Sequence, residues 1–270
     1  VELLVTIVII VVLASLYIPM IARTRESARG VQCKNQLYNL GIAVHHYAAA
    51  YGCFPPGAVA AARPLRSERG ADGVSWQALL LAFLEQKPLS ERVNFSEPLD
   101  QEDERLLHSI TLKVLVCPSD QIGVEHPRPA SNYAGCHHSE EAPIDVDNHG
   151  AFPLNRGLGP IDFPDGLAYT LLVGEKEVLP GDLGWWSGSR ATLRNTGTPL
   201  ARLDPRRPES IPAPADPLAV GGFASAHRWG VHVALGDGSV RLLAFDINHT
   251  VLQRLAHRAD GKLLPLPDRD

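Results

Sequence analysis

The sequence predicts an α+β protein in which one long N-terminal helix packs on a head of antiparallel strands and short helices. Three observations carry that expectation. Residues Leu3 to Ala22 form an almost unbroken apolar run. From Cys33 to Tyr51, apolar residues recur at spacings of three and four, which draws a stripe along one helix face. The chain also carries 22 Pro and 23 Gly, a composition of turns and short elements rather than of a helical bundle.

The apolar run supplies the roughly 20 residues that a helix needs to cross a bilayer core. Thr6, Ser15, Tyr17 and Pro19 interrupt it only mildly. A secretory signal core spans about 7–15 residues and ends in a small-residue cleavage site, so a retained transmembrane helix is the expectation for residues 1–22. Pro19 is expected to kink or locally melt it. Arg23, Arg25, Arg29 and Lys34 follow directly and would hold that side in the cytoplasm. The first residue is not Met, and a basic leader ahead of Val1 would reverse that comparison. Glu2 places a carboxylate at the edge of hydrocarbon, where it either rests among headgroups or needs a cation from a neighbouring subunit.

The stripe of Cys33, Leu37, Leu40, Val44, Tyr47 and Tyr51 continues the same helix as an amphipathic segment, residues 23–52. Gly52 supplies a C-cap and Pro55-Pro56 forbid continuation. One helix of about 50 residues, roughly 75 Å if straight, is predicted. His45-His46 lies on it, with one imidazole turned away from the stripe. Residues 53–270 then form a single globular head.

In the head, Ser75 is expected to cap a helix running from Trp76 through Leu79, Leu80 and Phe83 to Glu85, ended by Pro88. Thr111 to Cys117 and Tyr169 to Gly174 read as short strands. The stretch from Arg202 to Pro217 reads as a mobile polar loop. Val231, Val233 and Leu235 alternate before Gly236-Asp237-Gly238, and Val240 and Leu242 alternate after it, which predicts a β-hairpin. Asn248 is placed to cap a helix carrying Val251, Leu252 and Leu255, and Asp260-Gly261 to turn the chain after it.

Chemistry is sparse. A net charge of −5 argues against a nucleic-acid partner, which needs a basic excess or patch. There is no nucleophile elbow, phosphate loop or paired-carboxylate arrangement, so no catalytic residues and no enzymatic activity are expected. Cys136 followed by His137-His138, with His126 and His149 nearby, invites a zinc reading, but no dense ligand spacing occurs and no metal is assigned. The four cysteines, Cys33, Cys53, Cys117 and Cys136, allow three pairings. Trp185-Trp186 and Trp229 would either furnish an aromatic sugar-binding face or lie buried.

Two sets of residues carry a family resemblance. Val1-Glu2-Leu3-Leu4-Val5 and the apolar run after it resemble the N-terminal signature of type IV prepilins and pseudopilins. Cys33-Lys34-Asn35-Gln36-Leu37 and Tyr51-Gly52-Cys53-Phe54-Pro55-Pro56-Gly57 are similar to the large, mainly planctomycete, pilin-like family called domain of unknown function 1559. Further landmarks follow in order: Ser75-Trp76 with Leu84-Glu85-Gln86, then Cys117-Pro118-Ser119-Asp120, then Asn132-Tyr133-Ala134-Gly135. Asp165-Gly166 with Thr170-Leu171-Leu172-Val173-Gly174-Glu175 comes next, and last His227 and, nine residues later, Asp237-Gly238-Ser239-Val240.

The resemblance implies a type IV pilin-like protein, cleaved by a prepilin peptidase and N-methylated. It would be a single-pass inner-membrane protein whose head lies in the periplasm, or at the cell surface after assembly. Its partners would be the membrane and homo- or hetero-oligomeric pilin-like subunits. In such filaments the residue matching Glu2 pairs with the methylated amine of an adjacent subunit. The implied function is a structural subunit of a type IV pilus-like filament or type II secretion-like pseudopilus. The alternative is a membrane-anchored binding module, with carbohydrate as one class of ligand. An exported head permits disulfides. Cys33 and Cys117 match common family positions, which suggests Cys33–Cys117 and, by addition, Cys53–Cys136. Some pseudopilins bind calcium in the head, and Asp145, Asp147, Asp162 and Asp165 offer oxygen ligands, although in no defined calcium loop. Otherwise no cofactor is expected. For His227 and Asp237 the expectation is a structural pair: Asp237-Gly238 as the turn, His227 hydrogen-bonded to a nearby loop.

Overall fold

The computed structural model describes residues 2–68, 73–93, 95, 101–120, 129–179, 181–203 and 214–262. Its first element is α1, Glu2–Tyr51, a single helix of 50 residues. The helix is continuous through Pro19 rather than melted there. It stops where expected: Gly52 takes a left-handed φ of 80° and its N–H donates to the Ala48 carbonyl at 2.8 Å.

Two regimes divide α1. Along residues 3–21 the described large apolar side chains stand exposed, from Leu3 to Ile21. From Cys33 onward the stripe is buried, with Cys33, Leu37, Leu40 and Val44 all at 0% exposure. Tyr51, expected in that stripe, is instead exposed, its ring tilted against that of Tyr47 at 4.5 Å. Of His45-His46, His46 faces solvent and His45 lies edge-on to Phe54. Among the described residues no helix is long and apolar enough to cross a membrane; the side chains of Leu16, Pro19 and Ala22 are outside that set.

The head is mixed helix and sheet. Short strands β1 (Ala58–Ala60) and β2 (Gly73–Ser75) pair antiparallel. Ser75 then caps α2, Trp76–Leu79, by accepting from the Ala78 N–H at 3.1 Å. The helix is shorter than predicted, giving way to a 3-10 turn, Leu81–Phe83, and a left-handed Glu85. Pro88 does not end a helix but opens α3, Lys87–Arg92, where its fixed φ suits the first turn and its missing N–H costs nothing. Helix α4 follows at Gln101–His108.

Thr111 to Cys117 is not a strand. Lys113–Leu115 is a 3-10 turn. Gln36 of α1 donates to the Lys113 and Val116 carbonyls at 2.8 and 3.2 Å, and the Asn132 N–H takes the Leu115 carbonyl. Local and helix-borne partners thus replace a ladder.

The central sheet has five strands: β3 (Tyr133–His138), β4 (Leu171–Glu175), β5 (Leu193–Asn195), β8 (Gly230–Leu235) and β9 (Val240–Ala244). Their order is β5-β3-β4-β8-β9, antiparallel except for the parallel β3–β5 pair. A separate parallel pair joins β6 (Ala201–Arg202) to β7 (Ala224–Ser225). Strand β4 is buried along its whole length, sandwiched between two hydrophobic clusters. One holds Leu37, Leu40 and Val44 of α1 with Trp76, Tyr133 and Val173; the other holds Leu171, Phe223, Val231 and Leu243 with α5, His249–Ala256. Asn248 caps α5 as expected, accepting from the Thr250 N–H.

The hairpin is β8–β9, with Val231 opposite Leu243. Its inward residue on β9 is Leu243; Leu242, named by the alternation, is 47% exposed. Among Arg202 to Pro217, residues 204–213 lie outside the described residues, as does His126.

Candidate functional site

The hairpin brings the C-terminal landmark onto α1. Gly238 takes φ 82° and its Cα passes where a Cβ on Gly41 would stand 3.6 Å away, so the turn sits directly on the helix. Asp237 accepts from the N–H and hydroxyl of Ser239 at 2.9 and 2.6 Å. It is a turn residue at the far end of β8 from His227, and the two do not meet.

His227 has a different set of partners. Its Nδ1 is 2.9 Å from Glu26 Oε1 on α1. Its Nε2 faces Glu175 Oε1 at 3.4 Å and Cys117 Sγ at 3.5 Å. Cys117 Sγ in turn lies 2.8 Å from Cys33 Sγ, and all four cysteines are thiols. Glu175 is the last residue of β4, and its second oxygen accepts from the Ser225 hydroxyl and the His232 N–H at 2.7 and 2.8 Å. His232 Nδ1 is 3.0 Å from the first oxygen. Ser119, from the Cys-Pro-Ser-Asp landmark, donates to Glu26 at 3.0 Å.

Burial would push the Glu175 carboxyl up, but hydrogen bonds from His227 and His232 hold it down at about 2. Burial opposes a charged His227, yet its hydrogen bonds to Cys117 and Glu175 raise it to about 11. The hydrogen bond with Cys33, and burial, push the Cys117 thiol upward. His227 thus lies between the carboxyl groups of Glu26 and Glu175, with the Cys117 thiol at its side.

Among the described residues Cys33, Cys117, Glu175 and His227 form the group able to hold a metal, with ligand atoms all within 4.8 Å of one another. Above it opens a groove of about 760 Å³ between α1 and the hairpin, lined by Glu26, Lys34, His227, Trp229, His232 and Leu242.

The remaining sequence candidates disperse. Cys136 is buried in the second core, its thiol toward the His138 carbonyl, while Cys53 packs by Gly157. Among the described residues the zinc reading around Cys136 is not assembled. His137 turns to Asn148 at 3.1 Å, whereas His149 stacks on His257 at 4.0 Å and meets the tilted ring of His138 at 3.7 Å. Asp162 caps Gly159 and pairs with Arg156; Asp165 accepts from Asp260 and Gly261; Asp145 accepts from Val146; Asp147 is exposed. Those acids serve turns rather than converging. Trp185 and Trp186 are buried and Trp229 is 70% exposed, so the three share no aromatic face. Glu2 is exposed in the first turn of α1, about 36 Å along the helix from Glu26.

An α+β head docked on a long helix and locked to it by a Cys–Cys–Glu–His cluster is thus the class that fold and site define. The chain belongs to the family described as Protein of unknown function (DUF1559), SBP_bac_10, whose family model matches residues 22–250. No curated protein and no solved structure matches the chain.

Proposed function

We propose that the protein is a structural subunit of a type IV pilus-like filament or type II secretion-like pseudopilus, anchored in the inner membrane before assembly. The observation that carries this reading is the division of α1. Its C-terminal half is built into the head, while the described side chains of residues 3–21 are mostly apolar and exposed, with nothing among the described residues packed upon them. A helix apolar on every side needs lipid or other helices around it. A membrane before assembly and neighbouring α1 helices afterwards would supply both. Glu2, exposed at the start of that segment, would then pair with the methylated amine of an adjacent subunit and set the register.

Glu2→Ala tests the reading. Loss of subunit from the assembled fraction, with export and folding intact, is the expected result. Unchanged incorporation would overturn it and favour the alternative, a binding module on a prepilin-type anchor.

A further inference from the structure

We propose that Cys33, Cys117, Glu175 and His227 form a structural zinc site that pins α1 to the head. The four ligands come from four segments: the middle of α1, the loop after the Lys113–Leu115 turn, the end of β4 and the loop leading into β8. Two thiols, an imidazole and a carboxylate are a donor set suited to zinc, and four protein ligands leave no open position.

The geometry is close to that of a tetrahedral centre. With ordinary Zn–S and Zn–N/O bonds, tetrahedral ligands stand about 3.8 Å apart for S···S, 3.5 Å for S···N and 3.3 Å for N···O. The corresponding separations are 2.8 Å for Cys33–Cys117, 3.5 Å for Cys117–His227 and 3.4 Å for His227–Glu175. Of these three pairs only the thiols must open, by about 1 Å, and all four ligand atoms lie within 4.8 Å of one another.

The surroundings also fit. A metal-bound histidine usually donates its other ring N–H to a carboxylate, which fixes the tautomer. Glu26 holds His227 Nδ1 at 2.9 Å in that role, itself held by Ser119. The second Glu175 oxygen is occupied by Ser225 and the His232 N–H, while the first, which also meets His232 Nδ1 at 3.0 Å, is the one turned toward His227 and the metal position. On binding, each thiol gives up its proton and becomes a thiolate ligand, and His227 gives up its Nε2 proton while keeping Nδ1–H toward Glu26.

The test uses the full chain, purified in detergent with thiols trapped at lysis. Elemental analysis should find one zinc per chain, with Cys33 and Cys117 both recovered as thiols after denaturation. Replacing the zinc by Co²⁺ should give thiolate-to-cobalt charge-transfer and tetrahedral ligand-field bands. Cys33→Ser and Cys117→Ser should lose the metal, and Cys136→Ser should keep it. Glu26→Gln, which keeps all four ligands, should weaken zinc about 10–100-fold in competition with a chelator. If the cysteine variants do not fold, the cobalt spectrum of the native chain decides. A trapped Cys33–Cys117 disulfide, failure of the reduced chain to take up added zinc, or cobalt bands lacking thiolate character would each overturn the proposal.

Discussion

His227 Nδ1 stands 2.9 Å from the carboxylate of Glu26, 201 residues away in sequence, which ties the hairpin end of the head to the N-terminal helix. On its other side the same imidazole meets Glu175 at the end of the central strand β4. Helix, sheet and hairpin therefore share one ionic knot, and its loss should loosen all three together.

Glu175→Ala removes the carboxylate from that knot and leaves His227 and His232 facing a cavity. Breaking a buried ion pair costs about 3–5 kcal/mol. Urea unfolding should show a loss of that order. Glu175→Gln, which keeps an acceptor for Ser225 and the His232 N–H, should lose less. Equal losses would mean that packing, not charge, is what Glu175 contributes.

Acid stability should be set by histidines that are buried neutral. Burial presses His137 down to about 3; burial, His138 and His257 press His149 to about 4. Both lie below the value near 6.5 of an unfolded histidine, so the unfolded chain takes up protons first. Stability should fall as pH drops from about 6.5 toward 3. Chemical unfolding across pH should therefore show an acid limb that His137→Leu flattens. An unaltered limb in that variant would reject the assignment.

Two landmark glycines are packing positions. A Cβ on Gly57 would stand 2.2 Å from the Phe152 carbonyl oxygen, and one on Gly174 2.8 Å from the Phe223 ring. Overpacking of this kind costs about 1–3 kcal/mol. Gly57→Ala, which meets unyielding backbone, should lower the thermal midpoint more than Gly174→Ala, which meets a ring able to shift. The reverse order would show that the backbone around Phe152 yields.

The sequence was most legible where one local rule governs an element. The 3.6-residue stripe and Gly52 define α1, Asp237-Gly238 defines the hairpin turn, and Ser75 and Asn248 cap their helices. It misled where tertiary partners override local pattern. The run to Cys117 alternates like a strand, but Gln36 of α1 takes its carbonyls. On β9 the register turns Leu243, not Leu242, inward. The site was half visible. His227, Cys33 and Cys117 stood out through the family resemblance, and Glu175 closed a landmark, yet nothing local shows that they converge. Glu26 and His232 carried no signal, because a helix-surface acid and a strand histidine gain meaning only when β8 is laid against α1.

The claim that this chain is a processed filament subunit is tested most directly at its native N-terminus. Mass spectrometry of the N-terminal peptide from the cell-envelope fraction should find a methylated amine within a few positions of Val1. An unmethylated N-terminus with an intact hydrophobic leader still attached would contradict it.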